Sequence, residues 1–300
     1  MTNGIKTKII TSFYEIRSEE EKGDYVYKPF SLLTLTIRDL IFDEYEYIFY
    51  TDKYTYLKYE GDINNWTKDK PNVQIKFCEL NSPFYLNKIN PTRIKRFQDG
   101  EIWEREICIK NYVEVMYNKF KFLLNEAQQG YNLLWIDAGL FGTSCNDGWR
   151  DYMVEIAHTK NFLDKINDKI NQNGFICLRG KDIMVNHDIQ SRIDETYGVK
   201  FYNVVGGLFG GKSDIVVDLL KDYENMLTTY VSKYQDLLTD QQFLSIVTHK
   251  KSETVKFYDF EDWVDLQRGL LNIMDVYDEN KYIKNSCELY STKYLDRYKK

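Results

Sequence analysis

The chain has 300 residues, 43% of them hydrophobic and 29% charged, with a formal net charge of −6 at pH 7. That length and balance suit a globular protein with room for one large α/β core or two smaller ones. The acidic balance argues against a general nucleic-acid binder, which needs a basic stripe, but leaves room for a local basic pocket.

Strand and helix patterns then alternate along the chain, as a mostly parallel sheet with helices on its faces requires. Lys8 to Phe13 is a short β-rich run that opens the fold. Phe30, Leu33, Ile37 and Leu40 recur at helical spacing behind Pro29, whose missing N–H costs nothing near a helix start. Tyr45 to Tyr50 reads as a second strand ending at Thr51 and Asp52, and Val73 to Cys78 as a third. The Asn/Lys/Pro-rich stretch from Asn81 to Arg96 reads as a long loop. From Tyr112 to Gln129, Val113, Met116, Phe120, Leu123, Leu124 and Ala127 line one helical face, and Gly130 stops it. Leu133 to Ile136 is a continuous apolar run broken by Asp137-Ala138-Gly139, the pattern of a buried central strand ending in a carboxylate. A helix is expected from Tyr152 to about Ile170, and short strands at Gly174 to Leu178 and Phe201 to Val205. No repeat, low-complexity linker or domain boundary interrupts the chain.

Tyrosine dominates an aromatic fraction of 16%. Its flat face and polar tip suit grooves that bind sugars or bases, although AT-rich coding bias also raises tyrosine content. Cys78, Cys108, Cys145, Cys177 and Cys287 show no paired spacing and read as reduced thiols. The N-terminus carries no signal-peptide pattern, and no run reaches the roughly 18 apolar residues that would span a bilayer. A cytoplasmic protein is expected, and the sequon at Asn65 reads as chance.

Ligands of open α/β sheets bind outside the carboxyl ends of the strands. Three strands here should end in polar groups at that edge: at Thr11-Ser12-Phe13-Tyr14, at Asp52 and at Asp137. A carboxylate at the end of a buried strand needs a partner, usually a metal ion or a substrate hydroxyl, unless it merely caps the next turn. Gly206 to Ser213 fits the phosphate-binding pattern G-x-x-x-x-G-K-S letter for letter. Its late position and the bulky Leu208 and Phe209 favour instead a turn where substrate lies flat against glycine backbone. Asp240 opens an amphipathic helix, either beside its N-cap or aimed into the groove, and His249 follows.

Four ordered pieces resemble the HtrL/YibB (WlaTC-like) bacterial protein family: Ile10 to Arg17, Trp135 to Gly139, Gly206 to Gly211, and Thr239 to Gln242. That family is similar to glycosyltransferases of the GT-A fold. The resemblance implies a GT-A-like, Rossmann-type α/β/α sandwich with a mostly parallel central sheet. It is expected as one domain over residues 1–300, with a nucleotide-binding half of about 1–140, a sugar/acceptor half of about 141–265 and an extension over 266–300. The implied activity is transfer of a hexose from a nucleotide-sugar, expected to be a UDP-sugar, to a glycan or lipid-linked acceptor.

The resemblance also implies roles. Thr11, Phe13 and Asp52 would surround the base and ribose, and Arg17 and Lys119 would meet the diphosphate. Asp137 matches the first acid of an Asp-x-Asp signature that binds ribose and a divalent metal. Gly206, Gly207, Gly210, Gly211 and Gln241 would line the sugar and acceptor pocket. Asp240 matches an acid facing the donor sugar and is the expected catalytic base, with Asp214 behind it. Gly139 stands where the second signature acid belongs, so Mn²⁺ or Mg²⁺ would have to draw on phosphate, water, and His249 or Asp147. Two other readings stand beside this one: a P-loop-type nucleotide-binding protein using Gly206 to Ser213, and a catalytically inactive sugar-nucleotide-binding module. Lys293, Arg297, Lys299 and Lys300 would permit peripheral contact with anionic lipid; no nucleic-acid partner is expected.

Overall fold

The computed structural model describes residues 6–15, 41–80, 110–140, 153, 155, 161–180, 187–199, 203–260 and 266–277. Among these, seven strands form one sheet in the order β3-β2-β1-β4-β6-β5-β7. They are β1 (Lys6–Ser12), β2 (Glu46–Thr51), β3 (Val73–Phe77), β4 (Tyr131–Ile136), β5 (Phe175–Gly180), β6 (Asn203–Lys212) and β7 (Val255–Phe260). All run the same way except β6, which pairs antiparallel with both β4 and β5.

The apolar runs of the sequence make sense as strands buried on both faces. On one face Ile10, Ile48, Leu133, Trp135, Phe175, Cys177 and Phe209 pack under helices α3 (Lys110–Asn125), α6 (Ser213–Leu220), α7 (Tyr223–Tyr234) and α8 (Asp240–Lys250). On the other, Ile9, Tyr47, Leu134, Ile136, Ile176, Leu178 and Leu208 meet α4 (Phe162–Asn173) and α9 (Leu266–Ile273). Neighbours such as Ile9 and Ile10, or Leu133 and Leu134, thus serve opposite layers, as the two-residue period of a strand dictates. Two short helices, α1 (Lys53–Lys58) and α2 (Glu60–Thr67), follow β2, and α5 (His187–Tyr197) lies between β5 and β6. The result is the α/β/α sandwich with a mostly parallel sheet that the sequence led us to expect.

Two expectations are corrected. The expected helix starting at Tyr152 is regular only over Phe162–Asn173 among the described residues, ended by Gly174 at φ 88°. The glycine run is no turn: Gly206, Gly207, Gly210 and Gly211 all lie within β6. Their backbone is committed to the ladders with β4 and β5, through pairs such as Leu134 with Gly210 and Phe175 with Gly211. This removes the P-loop reading, because a phosphate cradle needs backbone N–H groups turned together out of a loop. The helix expected between residues 25 and 40 and the loop over 81–96 lie outside the described residues.

Candidate active site

The shared direction of β1, β2 and β4 brings Phe13, Asp52 and Asp137 to one edge, and antiparallel β6 starts there. Register fixes the neighbours. Ile10 pairs with Trp135, which places Ser12 beside Asp137, and the Asp137 N–H donates to Gly207 O at 2.8 Å.

Above Asp137, on the face that β4 shares with α3, lies Lys119. It is only 5% exposed, on a helix that otherwise turns Met116, Tyr117, Phe120, Phe122 and Leu123 inward, with Glu114 the other buried charged residue among those described. Burying an ammonium ion costs several kcal/mol unless partners replace its water. Lys119 Nζ lies 2.5 Å from Asp240 Oδ2, 3.2 Å from Gly206 O and 3.6 Å from Asp137 Oδ1, with the Trp135 ring centroid at 5.4 Å. Burial pulls the Lys119 ammonium down, but the Asp137 and Asp240 carboxylates outweigh it and hold it above the usual lysine range. Asp137 Oδ1 also accepts the Trp135 indole N–H at 2.7 Å. Loss of solvent, then the charge of Asp240, push the Asp137 carboxyl up against the pull of Lys119. The 44% exposure of the Asp137 side chain limits that rise.

Asp240 is placed by a capping box: Thr239 Oγ1 accepts from Gln242 N and Gln242 Oε1 from Thr239 N, so α8 starts in a fixed pose. Thr239 is the N-cap and Asp240 the first helical residue. At 4% exposure, under Gly206 and against Lys119, Asp240 is closed off. This corrects its expected role as a base presented to an acceptor hydroxyl. The carboxylate with an oxygen left toward solvent is Asp137.

The end of β1 supplies another signal. Thr11 Oγ1, Ser12 Oγ and the Tyr14 hydroxyl are buried, and none has a hydrogen-bond partner among the described residues. Burial above all pushes the Tyr14 phenol up, so it stays protonated and able to donate. A buried hydroxyl without a partner costs on the order of 1–3 kcal/mol. Register sets Ser12 beside the open Asp137 carboxylate, whereas Thr11 faces the other layer of the sheet and Tyr14 stacks on Phe122 on the side of Asp52.

The remaining predicted residues are distributed as follows. Phe13 packs by the edge of Tyr59, next to the small cluster of Phe49, Ile63 and Ala138. Asp52 is the N-cap of α1, accepting from Thr55 N at 2.6 Å, and stands two strands from Asp137, roughly 10 Å. Gly207 faces Asp137, its added Cβ falling 3.4 Å from Oδ2, and Gln241 lies next to Asp240 in α8. Gly210 and Gly211 do not reach the site; a Cβ there would strike β4 and β5 instead. Asp214 is also misplaced, because β6 runs backward. Lys212 pairs with Asn132 at the start of β4, putting exposed Asp214 roughly 16 Å away at the opposite edge. Lys119, expected on a diphosphate, is instead enclosed between two acids. Arg17 and Asp147 lie outside the described residues.

His249 belongs to the last turn of α8, nine residues from Asp240, which is roughly 13 Å along the helix axis. A divalent ion asks for six or more oxygen ligands or a tight mixed set. The described residues offer one open carboxylate, a second already paired with Lys119, and no group of three His, Cys, Asp or Glu placed to hold a metal. This donor set does not fit a resident Mn²⁺ or Mg²⁺.

A groove along β7 is lined by Lys169, Tyr258, Asp259, Arg268 and Asp275 among others. It lies three strands from Asp137, so we place the candidate site at the strand ends rather than there. Among the described residues no helix is long and apolar enough to cross a membrane.

No protein-family model matches the sequence, and no curated protein matches it. Among solved structures the chain is similar to 4-diphosphocytidyl-2C-methyl-D-erythritol synthase from Anaerococcus prevotii. The identity is 12% and the TM-score 0.41, over 91% of this chain and 96% of that one. At that level nothing about activity or ligand is taken from it.

Proposed function

We propose that this chain is a nucleotide-sugar-dependent glycosyltransferase, moving a hexose from a donor such as a UDP-sugar to a glycan or lipid-linked acceptor. The resemblance to the HtrL/YibB family motivates the activity. The observation that carries it is Asp137, open at the carboxyl end of β4 beside Ser12, whose buried hydroxyl has no hydrogen-bond partner among the described residues. In this reading Asp137 Oδ2 accepts a hydrogen bond from a donor hydroxyl. Ser12 and Tyr14 donate to, or accept from, the polar groups of the nucleotide portion. The Gly207 backbone gives a flat wall beside Asp137, since a side chain would meet both Asp137 and Leu140 there. Asp240 acts at one remove, by fixing Lys119.

The test is a thermal-shift screen of UDP-, GDP-, CMP- and dTDP-sugars on the wild type and on Asp137→Asn. A ligand at about a hundred times its Kd stabilises the folded state by roughly 2.7 kcal/mol, which raises Tm by several degrees. We expect one nucleotide class to do this for the wild type and not for Asp137→Asn. If no nucleotide-sugar moves the melting curve, the reading is wrong. Binding without release of free nucleoside diphosphate in the presence of acceptors would identify a binding module instead.

A further inference from the structure

We propose that Lys119 is the built-in cation of this site, occupying the place between Asp137 and Asp240 that a divalent ion would otherwise take. This rests on the donor-binding reading above.

Four separate parts of the fold converge on one atom. Lys119 Nζ comes from α3, Asp240 from the start of α8, Asp137 from the end of β4 and the carbonyl of Gly206 from β6. Two carboxylates and a carbonyl around a cation make an oxygen cage of the sort that hard metal ions select. Here the cage closes on an ammonium, with the Trp135 ring face on one side. Gly206 shows how tightly: a Cβ there would run into the Asp240 carboxylate and stand 3.2 Å from Lys119 Nζ. Neither a hydrated ion nor a larger residue fits between these groups without displacing the lysine.

The chemistry follows from the charges. Two acids and one ammonium leave the cluster with one net negative charge, carried at the open side of Asp137. Such a group accepts hydrogen bonds from sugar or ribose hydroxyls, and it repels phosphate. The donor is therefore held at Asp137 through its hydroxyls, with no metal bridge from Asp137 to the diphosphate. The missing second acid at Gly139 fits this arrangement: with an internal ammonium in place, a second ligand on that turn has nothing to bind.

The experiment has two arms. The first uses Mn²⁺ alone, without nucleotide, followed by electron paramagnetic resonance. The wild type should bind no Mn²⁺ in a manner that depends on Asp137, even at millimolar concentration. Lys119→Met should gain one Mn²⁺ per chain, at least about tenfold tighter than any wild-type binding, and Lys119→Met with Asp137→Asn should lose it. A wild-type Mn²⁺ site abolished by Asp137→Asn overturns the proposal. So does a folded Lys119→Met that gains no ion. Should Lys119→Met not fold, the wild-type comparison with Asp137→Asn still decides. The second arm measures nucleotide-sugar affinity in excess chelator and in Mn²⁺. Affinities within about twofold of each other support the proposal, and an affinity that requires Mn²⁺ overturns it. Absence of binding under both conditions would sink the donor reading while leaving the first arm to judge Lys119.

Discussion

A methyl group added at Gly206 would press into the Asp240 carboxylate. Gly206→Ala should therefore break the Lys119–Asp240 pair and cost on the order of 1–3 kcal/mol, as overpacking of a filled core does. Urea unfolding measures this. Gly61→Ala, where nothing lies within 4 Å of the added atom in helix α2, is the matched control and should be neutral or stabilising by up to about 1 kcal/mol. Equal behaviour of the two variants would mean that the cluster is looser than described. At this scale the sequence was only partly readable. Asp137 announced itself as a carboxylate after an apolar run. Lys119 and Asp240 are 121 residues apart and carry no local mark of partnership. The indole N–H of Trp135, which orients Asp137, looked like one more apolar strand residue. The tyrosine and serine beside Thr11 gave only the hint that β1 ends in polar groups.

Helices and strands carry their own predictions. Asp218 of α6 sits between Lys221 at 2.6 Å and Lys251 at 2.8 Å, tying α6 to the residue after α8. Hydrogen bonds from Lys221 and Lys251 hold its carboxyl down at about 2, against an ordinary 3.8. A folded-state value below the unfolded one contributes stability above 3.8 and loses it as the pH falls through about 2. Asp218→Asn should flatten that part of the acid limb in urea midpoints. The effect should be small and shrink with salt, because the pair is exposed to solvent. Strands β1 to β5 were readable as elements because each is either a short apolar run, as in β4, or an alternation of apolar and polar residues, as in β3, with polar breaks around it. The glycines of β6 were not, since glycine weakens strands and usually signals a turn. Packing decided otherwise: at Gly210 a Cβ would collide with the backbone of Leu133 and stand 2.8 Å from Leu134 Cα, so only glycine lets β6 lie this close to β4. Strand β7 and helix α9 also escaped the reading; α9 has apolar residues at helical spacing, but no cap or stop marks its ends.

For the whole molecule, the sheet joins distant parts of the chain. Strand β1 pairs with β4 more than a hundred residues later, and the last described strand, β7, closes on β5. Helix α9 and the turn after it then bury Leu266, Leu270, Leu271, Ile273 and Met274 under one face. Each such side chain contributes on the order of 1.5–3 kcal/mol, against a total stability of about 5–15 kcal/mol for a domain. A chain ended after Phe260 should therefore show no cooperative thermal transition and should bind a hydrophobic dye. A sharp melt near that of the full chain would show that α9 does not cover the core as described. The layer architecture was legible from the alternation of patterns alone. The edge that Asp214 occupies was not, because it depends on the reversal of one strand.

That reversal lets one short segment serve two ends of the molecule. Gly206 and Gly207 help shape the reactive rim, while Gly210 and Gly211, a few steps along the same strand, are wedged into the opposite half of the sheet. Losing or gaining one residue between them would slide one pair off its seat and turn every intervening side chain to the wrong face. Homologous chains should accordingly tolerate point changes elsewhere in this strand, yet keep the spacing between its two glycine pairs unchanged in length.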